Sequence, residues 1–581
     1  MVATAPTRYA ARTDAGRDSR APDLAHFRRK YPETVAGLGA LPGREEWLRR
    51  IWAVEQRWQK VWETRGGETR VEEAIVRGGP PEGRTAEGEF DVVYAGGDVA
   101  LLNAAALACA YEDTRVLVFD DGARSHARGE WNLSEDELRA LASAGVFTND
   151  ETEAAVLNRR RGGFVKFHDA ASHVKAGPLW VTGSLDVTVD GARLLALASE
   201  RLKRKQGCAV MDGLRFVRAY VEPTRITIET EGPGGARRLF AARLFVDASG
   251  ADSKVARQLA GGPRPSHVCP TVGTIARGFA RGEGTDAVDF GAGEILVSTE
   301  DAREHRQLFW EGFGASAARD EYATRLFFYD TFDSPADKSL LSLFERYFES
   351  LPSYKRRGGG WRVGRPVFGY FPAEGRTRRA PLSAERVMLA GEAATCAGAL
   401  ASRGFGMHAR GLRRAARLTY LALEANITDA DSLGQIARGG GSGGARVTQA
   451  VGLAEFMRPA AKGEPSAVNE TLNALLAALG DLDERVRREL FQGRLSFASL
   501  RALFARTARL YPRIFARVRE RFGARGTLVW LAGVAEALWS ERRAGAAREV
   551  EETAEETAAD AASEFRRLAA LREDDQAAAR E

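Results

Sequence analysis

Three short stretches combine small residues, acids and exposed backbone at the ends of apolar runs. In YAGGDVA (94–100), Gly96 and Gly97 follow the apolar run FDVVY and precede the small-residue run VALLNAAALACAY. In RLFVDASG (243–250), Asp247 and Gly250 close a second run. In VMLAGEAA (387–394), Gly391 and Glu392 close a third, and SRGFGMHARGL (402–412) continues it with Gly404 and Gly406. Glycines at a strand-to-helix turn let the main chain approach a pyrophosphate, and the helix start offers free N–H groups to the anion. Asp120 ends the run RVLVFD at the distance expected of an acid that binds a ribose hydroxyl. The chemistry these residues suit is dinucleotide binding.

The first turn departs from the three-glycine fingerprint. Ala95 and Ala100 stand at two of its positions. Ala95 is tolerable only with negative φ. Asp98 suits the start of a helix dipole but repels a pyrophosphate in the same place. A βαβ unit without a ligand would show the same hydrophobic pattern.

The elements that must position these turns are strands and helices in alternation. FDVVY and RVLVF read as buried strands around a helix, and a polar helical stretch is expected from there to about 160. The fold class is α/β; the three turns in this order resemble those of large FAD enzymes like the aromatic hydroxylases, which implies a Rossmann-like FAD-binding domain with an interleaved antiparallel β-sheet substrate domain, plus helical regions at both ends. The boundaries follow composition. Residues 1–23 read as a disordered tail, 24–87 as helices and a linker, and 88–261 as the first part of the nucleotide domain. The substrate sheet is 262–372, the second nucleotide part 373–436, a Gly-rich linker 437–445, and a helical region 446–581. In 24–76, Trp47, Ile51, Trp58 and Trp62 fall near one helix face and are expected to pack on the next domain.

Composition narrows the function classes. The 581 residues carry a net charge of +5 and no nucleic-acid-binding motif, so no nucleic acid is expected. The four cysteines are far apart, and no HExxH occurs; no metal site is expected. No run is long and apolar enough to span a membrane.

Beyond the three turns, RGEWNLSEDELRALASAGVFTNDE (128–151), VGTIARGF (272–279), QLFWEGF (307–313), RPVFGYFP (365–372) and GFGMHARGL follow in order. In these stretches, over roughly residues 88–430, the chain resembles lycopene cyclases of the CruA/CruP type, relatives of the geranylgeranyl-reductase-like and aromatic-hydroxylase-like flavoproteins. The resemblance implies an FAD cofactor working reduced, with NAD(P)H as external reductant. It implies lycopene or another isoprenoid as substrate, and a redox-neutral, proton-initiated closure of the ψ end group. The other readings are a flavin-dependent reductase or monooxygenase of an isoprenoid or aromatic compound, and a non-catalytic relative. Where FAD enzymes that resemble aromatic hydroxylases usually have Gly-Asp in the third turn, this chain has Gly391–Glu392.

Such a cyclisation needs a carboxylic acid of raised pKa in an apolar pocket. Glu311, sharing a strand face with Phe309 and Phe313, is the first candidate; the alternative is a buried Glu paired with an arginine. Glu130 is the second, and its simpler role is to support a loop whose Asn132 or Ser134 caps a helix starting at Glu135. Arg277, Arg403, Arg410 and His408 are polar residues in the matching segments, and Arg403 could face the pyrophosphate.

Residues 491–525 hold nine arginines and one glutamate among Leu, Phe, Ile and Val. This reads as a helix pair, broken at Pro512, that either covers the core or lies on anionic lipid. The expected location is cytoplasmic, peripheral to the membrane.

Overall fold

The computed structural model describes residues 22–63, 72–122, 129–250, 253–261, 267–282, 284–373, 381–394, 404–439, 451–460 and 463–555. Its first sheet is built around a parallel βαβ unit. Glu89–Ala95 and Val116–Asp120 lie side by side, joined by the helix Asp98–Ala110. The helix is buried along nearly its whole length between the sheet and the helices Gly191–Arg204 and Gly404–Glu424. Its run of alanines lets three layers approach closely, and a row of larger side chains could not.

The strand Arg237–Asp247 explains how one sheet holds two kinds of pairing. Its first half pairs antiparallel with Ile226–Glu231, and its second half runs parallel to Glu89–Ala95 on one side and Val387–Leu389 on the other. The sheet order is Ile75–Arg77, Arg215–Val221, Ile226–Glu231, Arg237–Asp247, Glu89–Ala95, Val116–Asp120, Ala209–Asp212.

The second sheet centres on His267–Phe279, which pairs antiparallel with both Glu321–Phe327 and the long strand Arg357–Ala373. Phe309–Ser316 pairs with Glu321–Phe327 and leads through Gly293–Val297 to Gly163–Lys166 and Leu179–Val181. Both faces are covered. On one, Trp310, Tyr322 and Leu326 pack with Phe27, Leu48, Ile51 and Trp58 from the N-terminal helices and with the helix Leu340–Tyr354. On the other, Phe309, Phe313 and Phe327 pack with Leu472, Leu476, Leu479 and Trp530 from the C-terminal helices.

The α/β class with a largely antiparallel second sheet is thus the architecture seen, its one parallel pair among the named strands being Gly163–Lys166 with Gly293–Val297. Some local expectations are corrected. The stretch 121–160 is not uniformly helical: Glu130–Leu133 and Val156–Arg159 pair with Val187–Asp190 in a third, small sheet. Period-2 patterns of four residues were too short to stand out beside the acidic helices. In the expected helical region the described helices are Leu24–Lys30, Pro32–Gly37 and Arg44–Glu63, residues 64–71 lie outside the described residues, and Ile75–Arg77 is an edge strand. Residues 163–181 join the second sheet although they precede 262. The helix Ala430–Gly439 enters the expected linker, whose remainder lies outside the described residues, as does residues 1–21 of the expected tail.

Candidate functional site

The three glycine-bearing turns meet at one edge because their strands are parallel neighbours. Ala95 lies opposite Asp247, and Asp247 opposite Leu389. The Ala248 amide donates to the Ala95 carbonyl and the Ala390 amide to the Asp247 carbonyl, each at 2.9 Å. Gly96 has φ 117°, and a Cβ there would overlap the Ala248 carbonyl oxygen. The left-handed residue of the turn is therefore Gly96, while Ala95 ends the strand and needs no glycine. Gly391, at φ 58°, stands against Val99 and brings the third turn onto the first helix.

Gly97 is the N-cap of Asp98–Ala110 and places no side chain on the first-turn amides. That is the condition for a helix start to receive an anion. Asp98 is the first helical residue and half-buried, where a carboxylate favours the dipole. Asp120 is buried at the end of its strand. These residues fit the pyrophosphate and ribose of a dinucleotide, with Asp98 the one departure.

Other predicted cofactor residues have structural work. Asp247 is fully buried; its Oδ1 accepts from the Ser249 amide at 2.8 Å and its Oδ2 from the Ser253 hydroxyl at 2.6 Å. Ser253 in turn caps the helix Lys254–Leu259. Asp247 thus braces its own turn. Gly250 in the same turn has φ 97°. Glu392 is exposed in the short helix Gly391–Ala394. Gly404 opens Gly404–Glu424. At Gly406 a Cβ would overlap the carboxylate of Glu137, so this glycine is set by helix packing. Glu137 completes a capping box with Ser134 and pairs with Arg410, and Trp131 stacks on Phe405 with centroids 3.9 Å apart. Ser134 is the cap expected for the helix from Glu135. Arg403 lies outside the described residues.

The two candidate acids are both ion-paired. Glu311 sits opposite Arg325 on the neighbouring strand, and their side chains meet at 2.6 Å, both largely buried. It does share the face of Phe309 and Phe313, as alternation required, but the C-terminal helices pack over that face. Glu130 lies on the strand Glu130–Leu133, not in a loop, and pairs with Arg365 of the second sheet at 2.7 Å. It fastens the small sheet to the large one. Arg277 pairs with Glu321. The ring of His408 is buried at Nε2, and burial pushes it down to about 4, so it is neutral at pH 7.

A constellation that sequence reading missed lies between the sheets. Arg160, 7% exposed, donates to the Leu185 carbonyl at 3.0 Å, to Thr188 Oγ1 at 2.5 Å and to Asn132 Oδ1 at 3.0 Å, and lies 4.8 Å from the Phe313 ring centroid. Burial lowers it to about 10, against the opposing charges of Asp186 and Glu311. Beside it, Asp186 is 8% exposed, and its Oδ1 has no hydrogen-bond partner among the described residues. Burial raises it to about 6, despite the Ser184 amide and Arg160, which lower it. The preceding Leu185 has φ 57°, a costly backbone for a branched side chain. A buried acid whose pKa is raised, next to a residue on strained backbone, is a functional-site candidate. Nothing in SLDVTVD signals this, since an acid opening a short strand is ordinary.

No protein-family model matches the chain, and no curated protein matches it in sequence. Among solved structures, it is similar to a geranylgeranyl bacteriochlorophyll reductase-like protein from Thermoplasma acidophilum, with 13% identity and TM-score 0.49 over 74% of this chain and 99% of that one. It is similar to the halogenase PltM, solved with phloroglucinol and FAD, with 13% identity and TM-score 0.49 over 84% and 96%. It is also similar to OxyS anhydrotetracycline hydroxylase from Streptomyces rimosus, with 17% identity and TM-score 0.44 over 70% and 76%.

Proposed function

We propose that this protein is an FAD-dependent enzyme acting on an isoprenoid or aromatic compound by flavin redox chemistry. The observation that carries the reading is the convergence of three strand-end turns on one helix start, with Gly96 pressed against Ala248 and Gly391 against Val99. Gly96, Gly97 and the amides of the helix from Asp98 would hold the pyrophosphate, and Asp120 a ribose. Bound FAD would supply hydride or electron transfer. The residues of this chain bind it, exclude water and set the substrate sheet beside it.

Ring closure of a lycopene-type end group is the second reading. It is favoured by the segments VGTIARGF, QLFWEGF and RPVFGYFP, which fall on strands of the same sheet. The paired Glu311 suits a proton donor poorly, and Asp186, whose carboxyl burial raises, suits that role better. The test is purification followed by flavin extraction, then expression in lycopene-accumulating cells with NAD(P)H consumption measured per product. Bound FAD with stoichiometric NAD(P)H turnover supports the redox reading. One- or two-ring carotenes without net reductant use support the cyclase. A protein that retains no flavin when FAD is supplied refutes both.

A further inference from the structure

Among the described residues, the large apolar side chains that remain exposed lie, with one exception, on two consecutive helices. Trp180 apart, they are Phe497, Phe504, Phe515, Leu528, Val529, Leu531 and Trp539, all on the helices Phe497–Leu510 and Ile514–Glu555. The second helix breaks at Gly523, which has φ 65°. Beyond the break, Trp530, Val534 and Ala537 are buried on one face, and Trp530 packs on Phe456, Phe504 and Phe522. Helical spacing places Leu528, Leu531, Ala532, Ala535 and Trp539 on the opposite face. Leu528 is 68% exposed and Trp539 63%. A helix that is apolar on its buried face and again on its outer face is not built for water.

Basic residues border this surface. Arg501 lies between Phe497 and Phe504 on one stripe, Arg519 one turn after Phe515, and Arg525 one turn before Leu528. Arg501, Arg513, Arg519 and Arg525 are exposed and form no ion pair among the described residues. Arg506 and Arg517 of the same helices, by contrast, turn to Asp481 and to Glu464 and Glu470. The excess positive charge is therefore left at the surface, beside the apolar stripe. No helix of the described residues is long and apolar enough to cross a membrane.

We propose that these two helices dock the protein on an anionic lipid surface, with Phe497, Phe504, Phe515, Leu528, Leu531 and Trp539 entering the acyl boundary and the exposed arginines meeting headgroups. Charge complementarity favours this partner over a second copy, whose same patch would bring like charges together. The proposal does not depend on the reaction catalysed.

The test is co-sedimentation of the full chain with phosphatidylglycerol–phosphatidylcholine vesicles and with pure phosphatidylcholine vesicles. Binding to the anionic vesicles at least tenfold above the neutral ones, weakened by salt, is expected. Leu528→Glu with Leu531→Glu should lower the bound fraction at least tenfold while the far-ultraviolet circular dichroism is unchanged. In the unaltered protein, brominated lipid should quench the exposed Trp539, and Trp539→Phe should remove that quenching. Failure to bind either vesicle, or binding unaffected by the double variant, overturns the proposal. So does a lipid-free dimer that the double variant converts to monomer without any vesicle binding.

Discussion

The α-carbon of Gly96 lies so close to the Ala248 carbonyl that no side chain fits between them. Because φ at Gly96 is also 117°, a methyl group there meets both a backbone clash and an unfavourable conformation. Gly96→Ala is expected to cost about 2–4 kcal/mol of stability and to abolish flavin retention. Ala95→Gly should leave flavin retention intact, since Ala95 already has strand backbone. Urea melts and the flavin content of purified variants check both.

The pair Glu311–Arg325 separates two roles by stability. Removing one member of a buried ion pair typically costs about 3–5 kcal/mol, because the other charge is stranded. Glu311→Gln should therefore destabilise by that order, and adding Arg325→Met should recover most of the loss. Activity in the stable double variant identifies Glu311 as structural. A stable, flavin-bound and inactive double variant would make it a reacting group.

Asp186 should make stability fall as pH rises between its two pKa values. Its carboxyl is raised from 3.8 to about 6 by burial. Below 3.8 both states hold the proton; between 3.8 and 6 only the unfolded chain releases it, so the native state loses ground as pH rises and the loss is complete above 6. The full cost is about 3 kcal/mol. Urea midpoints between pH 4 and 7 should show this slope, and Asp186→Asn should flatten it. An unchanged slope in the variant would assign it elsewhere.

Glu455 works in the opposite sense. Burial raises its carboxyl, but the ion-pair contacts with His267, 3.0 Å away, and Arg458 outweigh it and leave it at about 2, below its ordinary 4.5. The stabilisation is present above 4.5 and lost as pH falls toward 2, an effect on the order of 3 kcal/mol. His267 begins the central strand of the second sheet and Glu455 sits in the helix Leu453–Phe456, so acid should loosen the C-terminal helices first. Hydrogen exchange of those helices at pH 3 and pH 6 measures it, with Glu455→Gln expected to remove the difference.

The βαβ unit was legible because FDVVY, the alanine run and RVLVF are each local, periodic patterns. So was the alternation of Phe309, Trp310 and Phe313 across a strand. Local pattern could not reveal partners. Arg325 opposite Glu311 is a matter of strand register, and Glu137 against Gly406 joins residues far apart in sequence. The same limit explains Asp247: its position at a strand end reads as a ligand, while its engagement with Ser249 and Ser253 depends on the turn's three-dimensional path. Asp186 was hidden for a related reason, since its burial comes from two sheets meeting over it.

The second sheet is closed on one face by helices that begin at Leu24 and on the other by helices that end the described chain. A growing polypeptide would thus carry that sheet half-clothed until the helices from Ala467 onward emerged. Phe309, Phe313 and Phe327 would stay open to chaperones or aggregation from their own synthesis until Leu472, Leu476, Leu479 and Trp530 followed, and a deletion of the C-terminal helices would act as a folding lesion even if every cofactor-binding residue were intact.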